Sequence, residues 1–254
     1  MLVTKDSTVE ARVLKFINKE LDGEANSPNE LREIELFCKC VLGYVDFEAV
    51  EKHNCLILKR LYEKYQVDSL AGFVDKIKWN YKLDYKTLLN VIDHFDMPQD
   101  VEKELNRRIA RIDKDYVHKK SSDNVLLCDP IRVGNTLFYK CFNQSGEFDI
   151  DHPSDHLEGI VLFEIIRQVG LASAHHCEVS LDGIIVILES DIQFLNYVEL
   201  DTPFYVQCVP VIRKTGGVGF SVFRVIQNGT TCAKGFFRAF VYKDRATYEK
   251  RRLV

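Results

Sequence analysis

Two hydrophobic periods divide the chain. Up to about residue 116, apolar positions recur at helical spacing: Val9, Val13, Phe16, Ile17 and Leu21, then Leu31, Ile34, Phe37, Cys38, Val41 and Leu42. Ser27-Pro28-Asn29-Glu30 opens the second stripe as a capping box, with Pro28 at the first helical position. Further helical stretches are predicted near 46–65, 69–78, 84–95 and 98–115, with start signals at Asp84 and Pro98. After Ser121-Ser122-Asp123, which reads as a linker, strand-like runs take over. They are Val125–Cys128, Thr136–Phe142, Ile184–Leu188, Ile192–Val198, Phe204–Ile212, Val218–Ile226 and Cys232–Tyr242. Gly134-Asn135 separates the first two, and Asn228-Gly229 is a hairpin turn signal between the last two. The pattern predicts an all-α domain over 1–116 and a second domain over 117–254.

One helix, from Asp155 to about His175, interrupts the strands, and it is apolar on nearly every side. Leu157, Ile160, Val161, Leu162, Phe163, Ile165, Ile166, Val169, Leu171 and Ala172 leave no solvent face. One such helix among about five strands predicts an α+β fold in which a curved antiparallel sheet wraps the helix. Into this surface the sequence sets Glu164, Arg167 and Gln168, which share one face at i, i+3 and i+4. A buried carboxylate needs a partner, and Arg167 is the nearest. The triad reads either as a structural ion pair or as a carboxylate tuned by burial for acid–base work.

What precedes the helix favours chemistry. Asp151-His152-Pro153-Ser154-Asp155-His156 brings imidazoles and carboxylates to its start, and Gly159 leaves backbone N–H groups open to a developing oxyanion. His152 and His156 are candidate active-site residues. A metal is not expected, because no third ligand is evident near them. Asp155 and Glu158 fit a capping box. His175 and His176 fall at the helix end, where a protonated imidazole suits the dipole.

Composition narrows the class. At 254 residues, 46% hydrophobic and net −4, the chain reads as a soluble globular protein rather than a disordered or disulfide-framed one. It has no apolar run long enough for a membrane span and no secretory leader at its start, so a cytoplasmic location is expected. The eight cysteines sit mostly in apolar runs, as structural thiols do. Residues 1–120 hold 21 basic against 22 acidic side chains, a balance that argues against nucleic acid as a partner. A local basic stretch, Lys103, Arg107, Arg108, Arg111, Lys114, Lys119 and Lys120, would form a stripe if helical.

The run Asp155-His156-Leu157-Glu158-Gly159-Ile160-Val161-Leu162-Phe163-Glu164-Ile165-Ile166-Arg167-Gln168 resembles the central-helix motif of hotdog-fold proteins that handle acyl thioesters. It most resembles the A-factor biosynthesis (AfsA-type) hotdog family, whose motif runs Asp-His, a Gly, then Glu-x-x-Arg-Gln. The likeness spans roughly 118–243. The β-hydroxyacyl carrier-protein dehydratases share the Gly, the Glu and the Gln but lack the Arg. They also place a His fourteen residues before the Glu, where this chain has Ile150. Glu158 stands where the AfsA family usually has Pro, and this chain holds one hotdog unit where that family usually holds two.

The resemblance implies an acyltransferase, moving a β-ketoacyl group from acyl carrier protein or CoA to a small hydroxylated acceptor such as dihydroxyacetone phosphate. It implies Glu164 as general base, His152 and His156 at the site, and backbone near Gly159 polarising the thioester carbonyl. Arg167, Gln168 and Asp155 would be substrate-binding, with Arg167 on a phosphate or orienting Glu164. No cofactor is implied, and a single unit implies a homodimer. Dehydration or thioester hydrolysis would use the same groups. A non-catalytic thioester-sensing regulator, with the helical half binding DNA or protein, is the alternative outside enzymology.

Overall fold

The computed structural model describes residues 97–148, 154–212 and 216–252, together with 59, 62, 63, 66, 68, 89 and 92. The chain separates into two compact units, Met1–His94 and Phe95–Val254. In the first unit Lys59, Tyr62, Glu63, Leu89 and Ile92 are helical; the other helices expected there lie outside the described residues.

The second unit begins with helix α1 (Gln99–Arg107), whose first turn opens on Pro98 and carries Asp100 and Glu102. Two short 3-10 turns follow, Lys114–Val117 and Ser122–Asn124, the latter capped by Ser121. Then come β1 (Ile131–Val133), β2 (Thr136–Lys140), α2 (Gly159–His176), β3 (Ile184–Phe194), β4 (Tyr205–Val211), β5 (Gly217–Gln227), β6 (Thr230–Tyr242) and α3 (Arg245–Arg252). The six strands form one sheet in the order β1-β2-β4-β5-β6-β3, every pair antiparallel. The expected sheet wrapped around one helix is what forms. Val161, Leu162, Ile165, Ile166, Val169 and Ala172 of α2 share a core with Leu137, Tyr139, Val206, Cys208, Phe223, Val225 and Phe237 of the sheet.

Local chemistry sets the turns. Asn228 and Gly229 both take positive φ, 51° and 71°, so the hairpin joining β5 to β6 needs only these two residues. Helix α2 ends in a Schellman motif: Val179 N–H donates to Ala174 O and Glu178 N–H to His175 O, with Glu178 at φ 65°. Between sheet and helix the ring of Phe237 meets Phe163 edge-to-face and Phe223 at a tilt, at centroid spacings of 5.9 and 5.6 Å. Phe223 faces Gly235 across the β5–β6 pair, and a Cβ on Gly235 would stand 2.8 Å from its ring and 2.0 Å from Asp191 O.

Three expectations need correction. Ile184–Leu188 and the start of the next run are one strand, β3, kinked by a register shift between Ile187 and Glu189. The polar Glu189-Ser190-Asp191 does not end it, because β3 is the edge of the sheet and is mostly exposed, where charge is tolerated. Val125–Cys128 is not a strand; it makes one bridge, Leu127 with Cys141, since the Leu126 N–H is taken by the Gln168 side chain. The basic stretch is not a helical stripe. α1 stops at Arg107, Arg108 donates to Asp129 O, and Arg111 donates to the carbonyls of Asp123, Val125 and Gln144.

Cys128, Cys141, Cys208 and Cys232 are buried and unpaired, and burial raises each thiol, Cys208 to about 12. No helix among the described residues is long and apolar enough to cross a membrane.

Gly235→Ala puts a methyl into a backbone oxygen that cannot move without parting β3 from β6. It is expected to destabilise the second unit by about 2 kcal/mol or more, read as a lowered denaturant midpoint with unchanged slope.

Candidate active site

Glu164 is 9% exposed on α2 and is the best-bonded side chain of the unit. Arg167, one turn on, grips both its oxygens, Nε to Oε2 at 2.6 Å and Nη2 to Oε1 at 2.7 Å. Gln168 Nε2 donates to Oε1 at 3.0 Å, and Lys119 Nζ lies 2.9 Å from the same oxygen. Two cations and an amide thus hold one carboxylate. Burial pushes the Glu164 carboxyl up, but the bonds from Arg167, Lys119 and Gln168 outweigh it and hold it at about 2. This corrects the expectation of a carboxylate tuned upward for acid–base work: Glu164 is ionised throughout the working range. Among the described residues Oε2 accepts only from Arg167, so it keeps room for one further donor.

Gln168 is fully buried and serves as a strut. Its amide donates to Asn124 O and to Glu164, and its carbonyl accepts from Leu126 N–H at 2.8 Å. Both its donors are spent on protein groups, whereas the sequence leads one to expect a substrate-binding role. Arg167 commits Nε and Nη2 to Glu164 and stays partly exposed, which leaves Nη1 for an anion.

The start of α2 is a separate place. The helix begins at Gly159 rather than Asp155, and Glu158 at the cap position makes no side-chain capping bond, so the expected Asp155–Glu158 box does not form. Asp155 is exposed and its carboxylate meets His156 Nδ1 at 2.7 Å, a bond that lowers the Asp155 carboxyl. The His156 ring leans on Tyr197 at 4.6 Å, and its backbone is pinned by Ser154 and by a bridge to Glu199. A Cβ on Gly159 would meet only the Phe194 ring, at 3.8 Å. Ile160, Phe194, Leu195 and Tyr197 are exposed apolar side chains, of which Phe194 lies by Gly159 and Tyr197 by His156. Glu164 is five residues along, about 7.5 Å of rise and roughly 140° around the helix. His156 and Glu164 share no hydrogen bond. His152 lies outside the described residues.

Lys119 was not singled out as a site residue, because it lies forty-five residues before Glu164 in a run of surface-like basic residues. Its neighbour His118 was missed too. His118 takes φ 55° and places Nε2 3.0 Å from His175 Nε2. His175 Nδ1 faces Val179 O, which can only accept, so Nδ1 carries a proton, and a neutral His175 then accepts at Nε2 from His118. Burial lowers His118, His175 and His176 alike, which corrects the expectation of a protonated pair at the helix end.

The family model of the A-factor biosynthesis hotdog domain covers residues 101–243. The chain belongs to that family. No curated protein matches it. Among solved structures, a Streptococcus mutans protein bound to acetyl CoA is 18% identical, with 46% of this chain and 90% of that one covered and a TM-score of 0.35. AziG of S. sahachiroi is 18% identical over 46% of this chain and 90% of its own, with a TM-score of 0.37. An uncharacterised Pyrococcus horikoshii protein is 12% identical over 54% and 98%, with a TM-score of 0.39.

The two sets of shifted groups give acid sensitivity in two windows. Neutral His118, His175 and His176 support the fold fully above their ordinary value of 6.5, and that support falls as pH drops below it. Glu164 contributes fully above its ordinary 4.5 and loses that contribution as pH falls toward about 2. Denaturant melts against pH are expected to show both losses, with Glu164→Gln removing only the lower one.

Proposed function

We propose that this A-factor biosynthesis hotdog protein processes acyl thioesters as an acyltransferase, moving an acyl group from acyl carrier protein or CoA to a small hydroxylated acceptor. The observation that carries the reading is the fixed, ionised carboxylate of Glu164 beside a half-free Arg167. Oε2 of Glu164 takes the acceptor hydroxyl as a hydrogen bond and then its proton. A carboxylate held near 2 is a weak base, so orientation contributes more than basicity. Nη1 of Arg167 binds an anionic group of the acceptor, such as a phosphate. Backbone N–H groups in the first turn of α2, at Gly159 and Ile160, stabilise the oxyanion formed from the thioester carbonyl. Its collapse breaks the C–S bond, and the carrier or CoA thiolate leaves with the proton that Glu164 had taken. The exposed apolar side chains nearby take the acyl chain.

In one chain these two places face different sides of α2, which supports a homodimeric site. The edge strand β3 offers eleven residues of open backbone with Ile187, Leu188 and Phe194 exposed on it. A second copy covering that edge would bring the helix start of one subunit to the carboxylate of the other. Hydrolysis or dehydration of the same thioester is the neighbouring reading, since water or a β-hydroxyl can occupy the acceptor position.

Mass analysis after mixing the protein with β-ketoacyl and β-hydroxyacyl carrier-protein thioesters, with and without dihydroxyacetone phosphate, separates these. The expected product is an acyl ester formed only with acceptor and ketoacyl donor, and reduced about a hundredfold or more in Glu164→Gln. Free acid or loss of water instead would replace transfer by hydrolysis or dehydration.

Gly159→Ala gains helix propensity and meets only Phe194, so the fold is expected to hold while kcat/KM drops about tenfold or more. Mixing it with Glu164→Gln and allowing subunit exchange should restore about a quarter of wild-type activity, because one site per mixed dimer is intact. No recovery on mixing would mean a site built within one chain.

A further inference from the structure

Lys119 joins two carboxylates from separate parts of the chain. Its side chain is 10% exposed, and its ammonium bonds Glu147 as well as Glu164. Together with Arg167 these make a cluster of two anions and two cations that sums to zero charge. An ammonium this buried is held only by such pairing. Its backbone is placed with equal care. Lys119 N–H donates to Lys114 O at 3.0 Å, closing the 3-10 turn, and the left-handed turn at His118 locks against His175 on α2.

The other carboxylate, Glu147, belongs to the segment 143–148. That segment is moored by Asn143 Nδ2 to Leu200 O at 2.7 Å and by Arg111 Nη2 to Gln144 O at 3.2 Å. Phe148 packs against the core, and the ion pair from Glu147 to Lys119 is a further mooring. The segment is therefore coupled through one ammonium to the carboxylate on the central helix.

We propose that Lys119 is a positioning residue for Glu164, and that Glu147 shares its ammonium so that segment 143–148 and Glu164 are held as one unit. This deepens the functional reading above, since Glu164 is the group that reading uses. Lys119, Gln168 and Arg167 Nη2 crowd Oε1, while Oε2 accepts only from Arg167 Nε among the described residues and is the more open acceptor. Loss of the ammonium leaves Oε1 with only Arg167 and Gln168, leaves the cluster one charge negative and makes the carboxylate easier to protonate. Loss of Glu147 alone keeps the ammonium on Glu164 but unties the segment.

The test is a carboxyl titration by carbon NMR on the full chain labelled at glutamate, with Glu164 assigned from Glu164→Gln. Wild-type Glu164 is expected to stay ionised to the lowest pH at which the protein is folded. Lys119→Met should move its midpoint up by about one unit or more, and Lys119→Arg should keep it in place. Glu147→Gln should leave the midpoint from rising while hydrogen exchange in 143–148 speeds up. If Lys119→Met does not fold, Lys119→Gln takes its place in the same titration.

An unmoved Glu164 midpoint without the ammonium would overturn the proposal, as would unchanged exchange in Glu147→Gln. In turnover, Lys119→Met should bring into the pH–rate profile an acid limb that wild type lacks. Absence of any wild-type turnover sinks the functional reading yet leaves the titration to decide on Lys119. Turnover with an unmoved titration sinks Lys119 alone.

Discussion

A carboxylate on the inner face of a helix wrapped by a sheet has lost its water, and everything near Glu164 answers that loss. Desolvation of a lone carboxylate is costly enough that the group would protonate instead. Here Arg167 supplies a two-pronged grip from one turn away, Lys119 a second charge and Gln168 an amide. Gln168 in turn carries the backbone of residues 124–126, so the device that compensates the charge also fastens the segment before β1 onto the helix. Lys119 fastens two more, through His118 and Glu147. Removing the carboxylate would leave two cations and an amide without their common partner, which is a larger disturbance than one lost ion pair.

The architecture could be read from residue types because its determinants are local. A helix apolar on all sides has one solution in a small β-rich unit, and Asn228-Gly229 can adopt the two positive φ angles that a two-residue hairpin demands. What stayed hidden depended on position in the sheet. Whether Glu189-Ser190-Asp191 ends a strand or lies along one turns on whether that strand is an edge, and this is decided by pairing with β6. Val125–Cys128 has strand residues throughout, yet its pairing is cut short by a side chain forty-two residues away.

The site was legible to the same extent. Spacing put Glu164, Arg167 and Gln168 on one face, and the structure confirms that they touch. Spacing says nothing of which way a balance tips: burial and cation pairing pull the carboxyl in opposite directions, and only the count of donors around Glu164 decides. Lys119 and His118 could not be singled out, since a short basic run after a helix carries no signal of what it folds against. Spacing also left open whether His156 and Glu164 meet: within one chain each makes its hydrogen bonds with other groups. Gly159 and Glu164, five residues apart on α2, stand roughly 140° apart around its axis.

The cysteines add a consequence for chemistry with activated acyl groups. A thioester transfers its acyl chain to any thiolate it meets, and a protein that holds one in place risks labelling itself. Cys128, Cys141, Cys208 and Cys232 lie in the core with their thiols pushed toward the protonated form. A protonated, enclosed thiol is a poor nucleophile. The packing that fills the space between sheet and helix thereby gives these four residues protection against self-acylation.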